Sequence, residues 1–385
     1  MAVRQKSIQE ILTLHGQRYP LMEPADYGKL LYQNEFGPEH MISSPESVQE
    51  WLEREWAEAA HSASVNPITP QASMEPMEQT SQEEVSCDTA YHADHIEDIG
   101  NHLYRFHLAS GYDLSIAAPL LARLFFLTAQ QHQGTAEGLV EKLGLLQEHG
   151  QQPGFPPLEP WLTEYMQAGC PALHHSETFR QAYAPHYRIL RDEYAIYFPV
   201  IDQVERCLSQ AEHVTIAIDG PCGGGKSSLA ALLAELFPSR VLHMDDYYLP
   251  LQRRSPGWEE TPCGNMDLER FLREALLPAA RGEAIVCQPY SCQQGQLLET
   301  RMLPSAPLTI VEGSYSHHPL FAQHYDLKIF LRCSHEEQLA RLQRREDSRL
   351  DAYLQRWIPL EEAYYRAFDI EFRCDMSFDN TSYFS

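Results

Sequence analysis

Eight consecutive residues, Gly220-Pro221-Cys222-Gly223-Gly224-Gly225-Lys226-Ser227, fit the spacing G-x-x-x-x-G-K-[ST] in full. A β-branched run, Val214-Thr215-Ile216-Ala217-Ile218, leads into them through Asp219, and Ser228-Leu229-Ala230-Ala231-Leu232-Leu233 continues as an apolar helix that closes before Pro238. Strand, glycine loop and helix in that order suit the binding of anions. Glycines let successive N–H groups turn inward without Cβ clashes, and the start of the helix adds partial positive charge at the same point. Gly220, Gly223, Gly224, Gly225, Lys226, Ser227 and Ser228 are therefore expected to cradle the phosphates of ATP. Lys226 should reach the β- and γ-phosphates, and the Ser227 hydroxyl should ligate Mg²⁺.

A phosphate loop alone does not separate a kinase from a nucleotide switch, so the ends of the other strands must. In open α/β sheets ligands sit beyond the carboxyl ends of the strands. The run Val241–Met244 ends in Asp245-Asp246-Tyr247-Tyr248. An aspartate there can orient and deprotonate an acceptor hydroxyl; Asp245, nearest the strand, is the expected base and Asp246 the alternative. The run Leu308–Val311 ends in Glu312-Gly313, a position suited to a magnesium carboxylate, so Ser227, Asp245 and Glu312 form the expected metal set. After Leu327–Leu331, Ser334 caps a helix whose Leu339 and Leu342 face the sheet. Its Arg341, Arg344 and Arg345 lead towards a lid that would set a guanidinium over the transferring phosphate.

Together with Asn265-Met266-Asp267 and Pro289-Tyr290, these motifs resemble, in order and spacing, the uridine kinase–phosphoribulokinase group of P-loop kinases, from about His213 onward. The resemblance implies that Asp245 is the catalytic carboxylate, with Tyr247 and Tyr248 in the aromatic places beside it. It implies acceptor-side roles for Asp246, Tyr248, Asn265, Asp267 and Tyr290, a magnesium-associated Glu312, and lid arginines at Arg341 and Arg345. The chain departs from the group after Tyr290. Ser291-Cys292-Gln293-Gln294-Gly295-Gln296 lacks the His and Arg that help to recognise uracil, and Asp347-Ser348-Arg349-Leu350-Asp351 lacks the usual lid glycine. The expected activity is transfer of the γ-phosphate of ATP to a hydroxyl of a small metabolite. A uridine-like nucleoside comes first, and a pantothenate- or sugar-type acceptor is the alternative. An ATP-dependent switch or ATPase with no metabolite acceptor is the competing class; the acceptor-side residues favour the kinase, because a switch needs no acceptor pocket.

These residues need a scaffold. From His213, apolar runs at Val214–Ile218, Val241–Met244, Ala284–Gln288, Leu308–Val311 and Leu327–Leu331 alternate with helical patterns. That grammar predicts an α/β P-loop NTPase domain over 206–385, a parallel sheet covered by helices on both faces. Residues 1–205 read as a mainly helical α or α+β domain. Ile8, Ile11 and Leu12 mark a helix stopping at Gly16; Ser44-Pro45 opens another through Val48, Trp51, Leu52 and Trp56; Leu103–Leu108 reads as a strand; Thr135 and Ser176 are N-caps; and Ile201, Val204 and Leu208 mark the last helix. Residues 59–92 hold five acids and no Lys or Arg, and read as a flexible insertion.

Two features of this front half carry polar density. Asp26–His40 either lines a second site or forms a helix with a polar face and a glycine stop. Thirteen of the eighteen histidines lie at or before His213, and His92, His95, His102, His107 and His174-His175 with Glu177 and His186 raise the question of a metal. Adjacent His174 and His175 point different ways in any regular element, and the expectation is hydrogen-bonded or surface histidines.

A formal net charge of −25 opposes binding to phosphate backbones, so no nucleic-acid partner is expected. Nine scattered cysteines without a CxxC pair argue against a disulfide framework. No apolar run was expected to reach a membrane span, the opening residues do not read as a signal peptide, and a cytoplasmic address with no membrane partner follows. The expected partner is the hydroxyl acceptor; a homo-oligomer is compatible with a front half of unassigned role.

Overall fold

The computed structural model describes residues 5–38, 49, 52, 54–56, 95–108, 112–152, 155–381 and 383. The described chain divides into two compact units, with the boundary between Asp202 and Gln203 inside the helix Phe198–Gln210. The expected insertion at 59–92 and the helix start at Ser44-Pro45 lie outside the described residues.

In the C-terminal unit, β4 (Val214–Asp219), β5 (Ser239–His243), β10 (Leu308–Glu312), β11 (Leu327–Arg332) and β12 (Met376–Asp379) form one sheet in the order β12-β11-β4-β10-β5. Every pairing in it is parallel. β4 is buried along its whole length, as a central strand covered on both faces must be. The chain leaves β4 through the helix Lys226–Leu236 towards β5, and later returns through β10 to β11 on the other side of β4. The carboxyl ends of β4 and β10 thus flank a switch point, where open α/β sheets bind ligands. Val311, Phe330, Tyr247, Phe271, Tyr315, Phe321 and Tyr364 pack into one core cluster of this unit.

Two strand expectations need correction. The apolar run at Ala284–Gln288 does not join the sheet. Its β6 (Ile285–Cys287) pairs antiparallel with β9 (Arg301–Leu303), and Val286 and Met302 face solvent, a one-sided pattern that a doubly covered strand cannot have. The fifth sheet strand is β12, which the sequence reading missed because only Met376 and Phe378 point inward.

The N-terminal unit is α+β. β1 (Ile96–Gly100), β2 (Leu103–His107) and β3 (Tyr187–Arg191) form an antiparallel sheet. Around it lie α1 (Ile8–Arg18), α2 (Pro24–Phe36) and the helices Leu114–Gln131, Ala136–His149, Trp161–Gln167 and Glu177–Tyr183. Thr135 and Ser176 cap as expected. α1 does not stop at Gly16 but runs to Arg18, because Gly16 has a packing role: a Cβ there would lie 2.8 Å from the Tyr27 hydroxyl. By length and composition alone, Leu114–Gln131 is the one helix among the described residues that reaches the size of a membrane span. Eight of its residues are buried. Among the described residues, no group of three His, Cys, Asp or Glu side chains is arranged to hold a metal ion.

Candidate active site

Gly220 (φ 142), Gly223 (φ 77) and Gly225 (φ 99) carry the loop from β4 into the helix at Lys226. At Gly220 the requirement is also one of space, since a Cβ would lie 2.4 Å from the Leu331 carbonyl oxygen. Lys226 Nζ lies within the loop, donating to the carbonyls of Gly220 (2.7 Å) and Pro221 (3.1 Å) and to Ser314 Oγ (3.2 Å). Ser227 and Ser228 occupy the first helical turn, with Ser227 exposed. This loop, its ammonium and the helix start suit a triphosphate.

At the end of β10, Glu312 accepts from the Ser227 hydroxyl at 3.0 Å through one carboxylate oxygen, while the other lies 2.6 Å from His243 Nδ1. Burial works to raise the Glu312 carboxyl. The His243 hydrogen bond, the Lys226 charge and the Ser227 hydroxyl outweigh it and hold the group below its ordinary value. A hydroxyl beside an ionised carboxylate at the mouth of a phosphate loop is a fitting donor set for Mg²⁺.

Asp245 follows β5 in a single 3-10 turn, Met244–Tyr247. Its side chain reaches solvent, but protein surrounds its carboxyl. That crowding, with the Glu312 charge, pushes its carboxyl up against the opposing pull of Lys226 and a hydrogen bond from Tyr248. Asp246, the alternative base, forms an ion pair with Arg301 from β9, and its carbonyl accepts from Arg270 Nη2 at 3.0 Å. Its charge is already matched, which leaves Asp245, the one of the two on which the Lys226 charge acts, as the expected base.

The acceptor-side residues are less free than expected. Asn265 is fully buried beside the Tyr315 hydroxyl, so its side chain does not line an open pocket. Asp267 caps the short helix Leu268–Phe271 and pairs with Arg253 at 3.2 Å and Arg270 at 3.6 Å. Tyr248 bridges to Met266, and Tyr290 is buried at the start of the hairpin formed by β7 (Tyr290–Ser291) and β8 (Gln296–Leu297).

The lid expectation for Arg341 is corrected. This buried guanidinium donates to Glu337 (2.9 Å) and to the Asn380 side chain (3.2 Å) and carbonyl (2.9 Å). Asn380 in turn donates to the Gly224 carbonyl at 2.5 Å. Arg341 is a brace behind the loop. Arg345 is exposed and donates to the Tyr353 hydroxyl at 2.9 Å.

Several site residues had no local signal. Glu361 accepts from the Cys222 amide (2.9 Å) and from the Ser314 hydroxyl (2.5 Å), so one buried carboxylate fixes both the loop and a partner of Lys226. Burial pushes its carboxyl up, against the Lys226 charge. Gln338 holds the Cys222 carbonyl, and Asp219 accepts from Gly220 N, His317 N and the Tyr364 hydroxyl. Only the neighbours of strand ends, Ser314 and His243, were open to detection, by their place beside Glu312 and Asp245.

No family model matches this chain, and no curated protein does. Among solved structures it is similar to a possible uridine kinase from Bacillus stearothermophilus, at 18% identity over 47% of this chain and 100% of that one, with a TM-score of 0.37. It is also similar to a fructose transport system kinase from a Silicibacter species (19% identity, 46% of this chain, 98% of that chain, TM-score 0.39). A third is D-glycerate 3-kinase from Cryptococcus neoformans var. grubii (13% identity, 49% of this chain, 96% of that chain, TM-score 0.37). These similarities are too distant to bear on activity; the assignment of the C-terminal unit to the P-loop α/β fold stands on the parallel sheet, its strand order and the loop between β4 and the helix Lys226–Leu236.

Proposed function

We propose that the C-terminal unit transfers the γ-phosphate of ATP to a hydroxyl of a small metabolite. The carrying observation is the convergence of Lys226, the Ser227–Glu312 pair and Asp245 at the carboxyl ends of β4, β10 and β5. Glycine-loop amides and Lys226 would hold the triphosphate, and Ser227 and Glu312 would hold Mg²⁺, which when bound offsets charge on the β- and γ-phosphates. Asp245 accepts the acceptor's hydroxyl proton as the new O–P bond forms. Lys226 donates towards the phosphates as the bond to the β-phosphate oxygen breaks, leaving ADP. The products are a phosphate monoester, ADP and one proton.

The acceptor class to test first is a nucleoside, with sugar- and pantothenate-type alcohols as alternatives. Asn265 is buried and Asp267 is paired with arginines, so they favour none of these. An ADP-release screen over nucleosides, sugars and vitamin precursors tests the proposal. One acceptor class should give turnover that disappears in Lys226→Ala. ADP formation indifferent to every alcohol, or unchanged turnover in Lys226→Ala, overturns it.

A further inference from the structure

The two polar segments of the front half that the kinase leaves unused meet inside the N-terminal unit. On α2, Asp26, Lys29 and Gln33 are spaced along one helical face. Asp26 was expected to face either a site or solvent; it is fully buried, and Gln33, Asn34 and Glu35 are buried with it. His175 sits between Asp26 and β3, its Nδ1 2.9 Å from Asp26 Oδ1 and its Nε2 2.6 Å from the Tyr187 hydroxyl. The same hydroxyl accepts from Gln33 Nε2 at 3.1 Å. Gln33 Oε1 accepts from Arg105 Nε and Nη2, and Arg105 Nη1 reaches Glu97 at 3.2 Å. Aspartate, imidazole, phenol, amide and guanidinium form one connected chain.

One cation in this cluster has no carboxylate in direct contact. The half-buried Lys29 ammonium donates to the Leu173 carbonyl at 2.8 Å, and among the described residues no carboxylate comes within ion-pair distance of it. Burial, and then the like charge of Arg105, bring Lys29 down to about 8, and Asp26 offsets this only in part. Buried cations ordinarily have an anion in contact, and the Lys29 ammonium has only a carbonyl. Asp26 acts on it from a distance and not by contact, because Ser176 N, Ser176 Oγ and His175 occupy both its oxygens. Gly28 lets Trp161 and Leu173 press against the helix one residue before Lys29.

We propose that this cluster is a binding site for a small metabolite bearing a carboxylate or phosphate, with Lys29 as its anchoring charge and the Asp26–His175–Tyr187 chain fixing the wall of the site. The site lies wholly in the N-terminal unit and does not depend on the kinase reading. The test is site-resolved amine labelling of the full-length protein at mildly alkaline pH, read by peptide mass spectrometry. Labelling is compared in chloride, inorganic phosphate and citrate at equal ionic strength. Lys29 should label readily in chloride and several-fold more slowly in phosphate, which assigns a phosphate-bearing ligand, or in citrate, which assigns a carboxylate. Lys142 and Lys328 should be unaffected. Unchanged Lys29 labelling in both anions overturns the proposal. Lys226 in the same digest reports separately on the glycine loop, so its protection or lack of it leaves the Lys29 result intact. In a second measurement, either effective anion should slow amide exchange over Tyr187–Arg191 in the wild type but not in Lys29→Met; equal slowing in both also overturns it.

Discussion

The Ser227 hydroxyl and the Glu312 carboxylate face each other at 3.0 Å across the mouth of the glycine loop, and His243 holds the second Glu312 oxygen. The carboxylate is thus oriented before any ligand arrives. Glu312→Gln keeps the shape and removes the charge. It should weaken magnesium affinity about 10- to 100-fold, the effect typical of disturbing a metal's supporting residues. Magnesium titrations of turnover and of nucleotide binding check this, and an unaltered magnesium requirement would move the metal elsewhere.

Asp245→Asn should lower kcat about 10²- to 10⁴-fold with nucleotide affinity largely kept, as expected when a general base is lost. Because crowding raises the Asp245 carboxyl, its basic form is lost at a higher pH than for an ordinary carboxylate. The acid limb of kcat/KM should therefore lie above the usual carboxylate range. The folded chain also binds this proton more tightly than the unfolded chain, so the group favours folding at low pH and opposes it once ionised. Asp245→Asn should accordingly raise Tm slightly at neutral pH while abolishing chemistry.

Arg341 braces the loop through Asn380, so Arg341→Ala should act on stability and nucleotide affinity before it acts on chemistry. Losing hydrogen bonds from a buried charged group costs about 1.5–3 kcal/mol. A loss of kcat with Tm and nucleotide affinity intact would restore Arg341 to the lid.

His175 gives the N-terminal unit a pH signature. Burial brings it down to about 4, with the Arg105 and Lys29 charges helping and Asp26 opposing. The unfolded chain binds this proton near the ordinary value of about 6.5, so stability should fall as pH drops from about 6.5 to about 4. At about 1.4 kcal/mol per unit the loss is on the order of 3 kcal/mol. Thermal melts across that range should show the slope in the wild type and flatten it in His175→Gln.

The glycine loop was legible because its chemistry is local: eight residues hold the anion geometry, and a β-branched strand and apolar helix flank them. Glu361 and Asn380 were not legible, because they join the site through contacts spanning 139 and 156 residues, which no spacing rule reaches. The Ala284–Gln288 run misled because hydrophobicity does not distinguish a doubly covered strand from a half-exposed hairpin. On α2 the sequence left a lined site and a polar helix face both open, because nothing local shows that Asp26 and Gln33 join one buried hydrogen-bonded chain through His175, Tyr187 and Arg105.

The bond from Asn380 to the Gly224 carbonyl joins positions 156 residues apart. A ribosome therefore makes the glycine loop long before it makes Asn380, just past β12, which shores it up from behind. Until that late strand docks, the loop lacks its rear support, so tight nucleotide binding should arrive as one of the closing events of folding. Bound ATP should then slow the fraying of Met376–Asn380, a sheet edge it never touches.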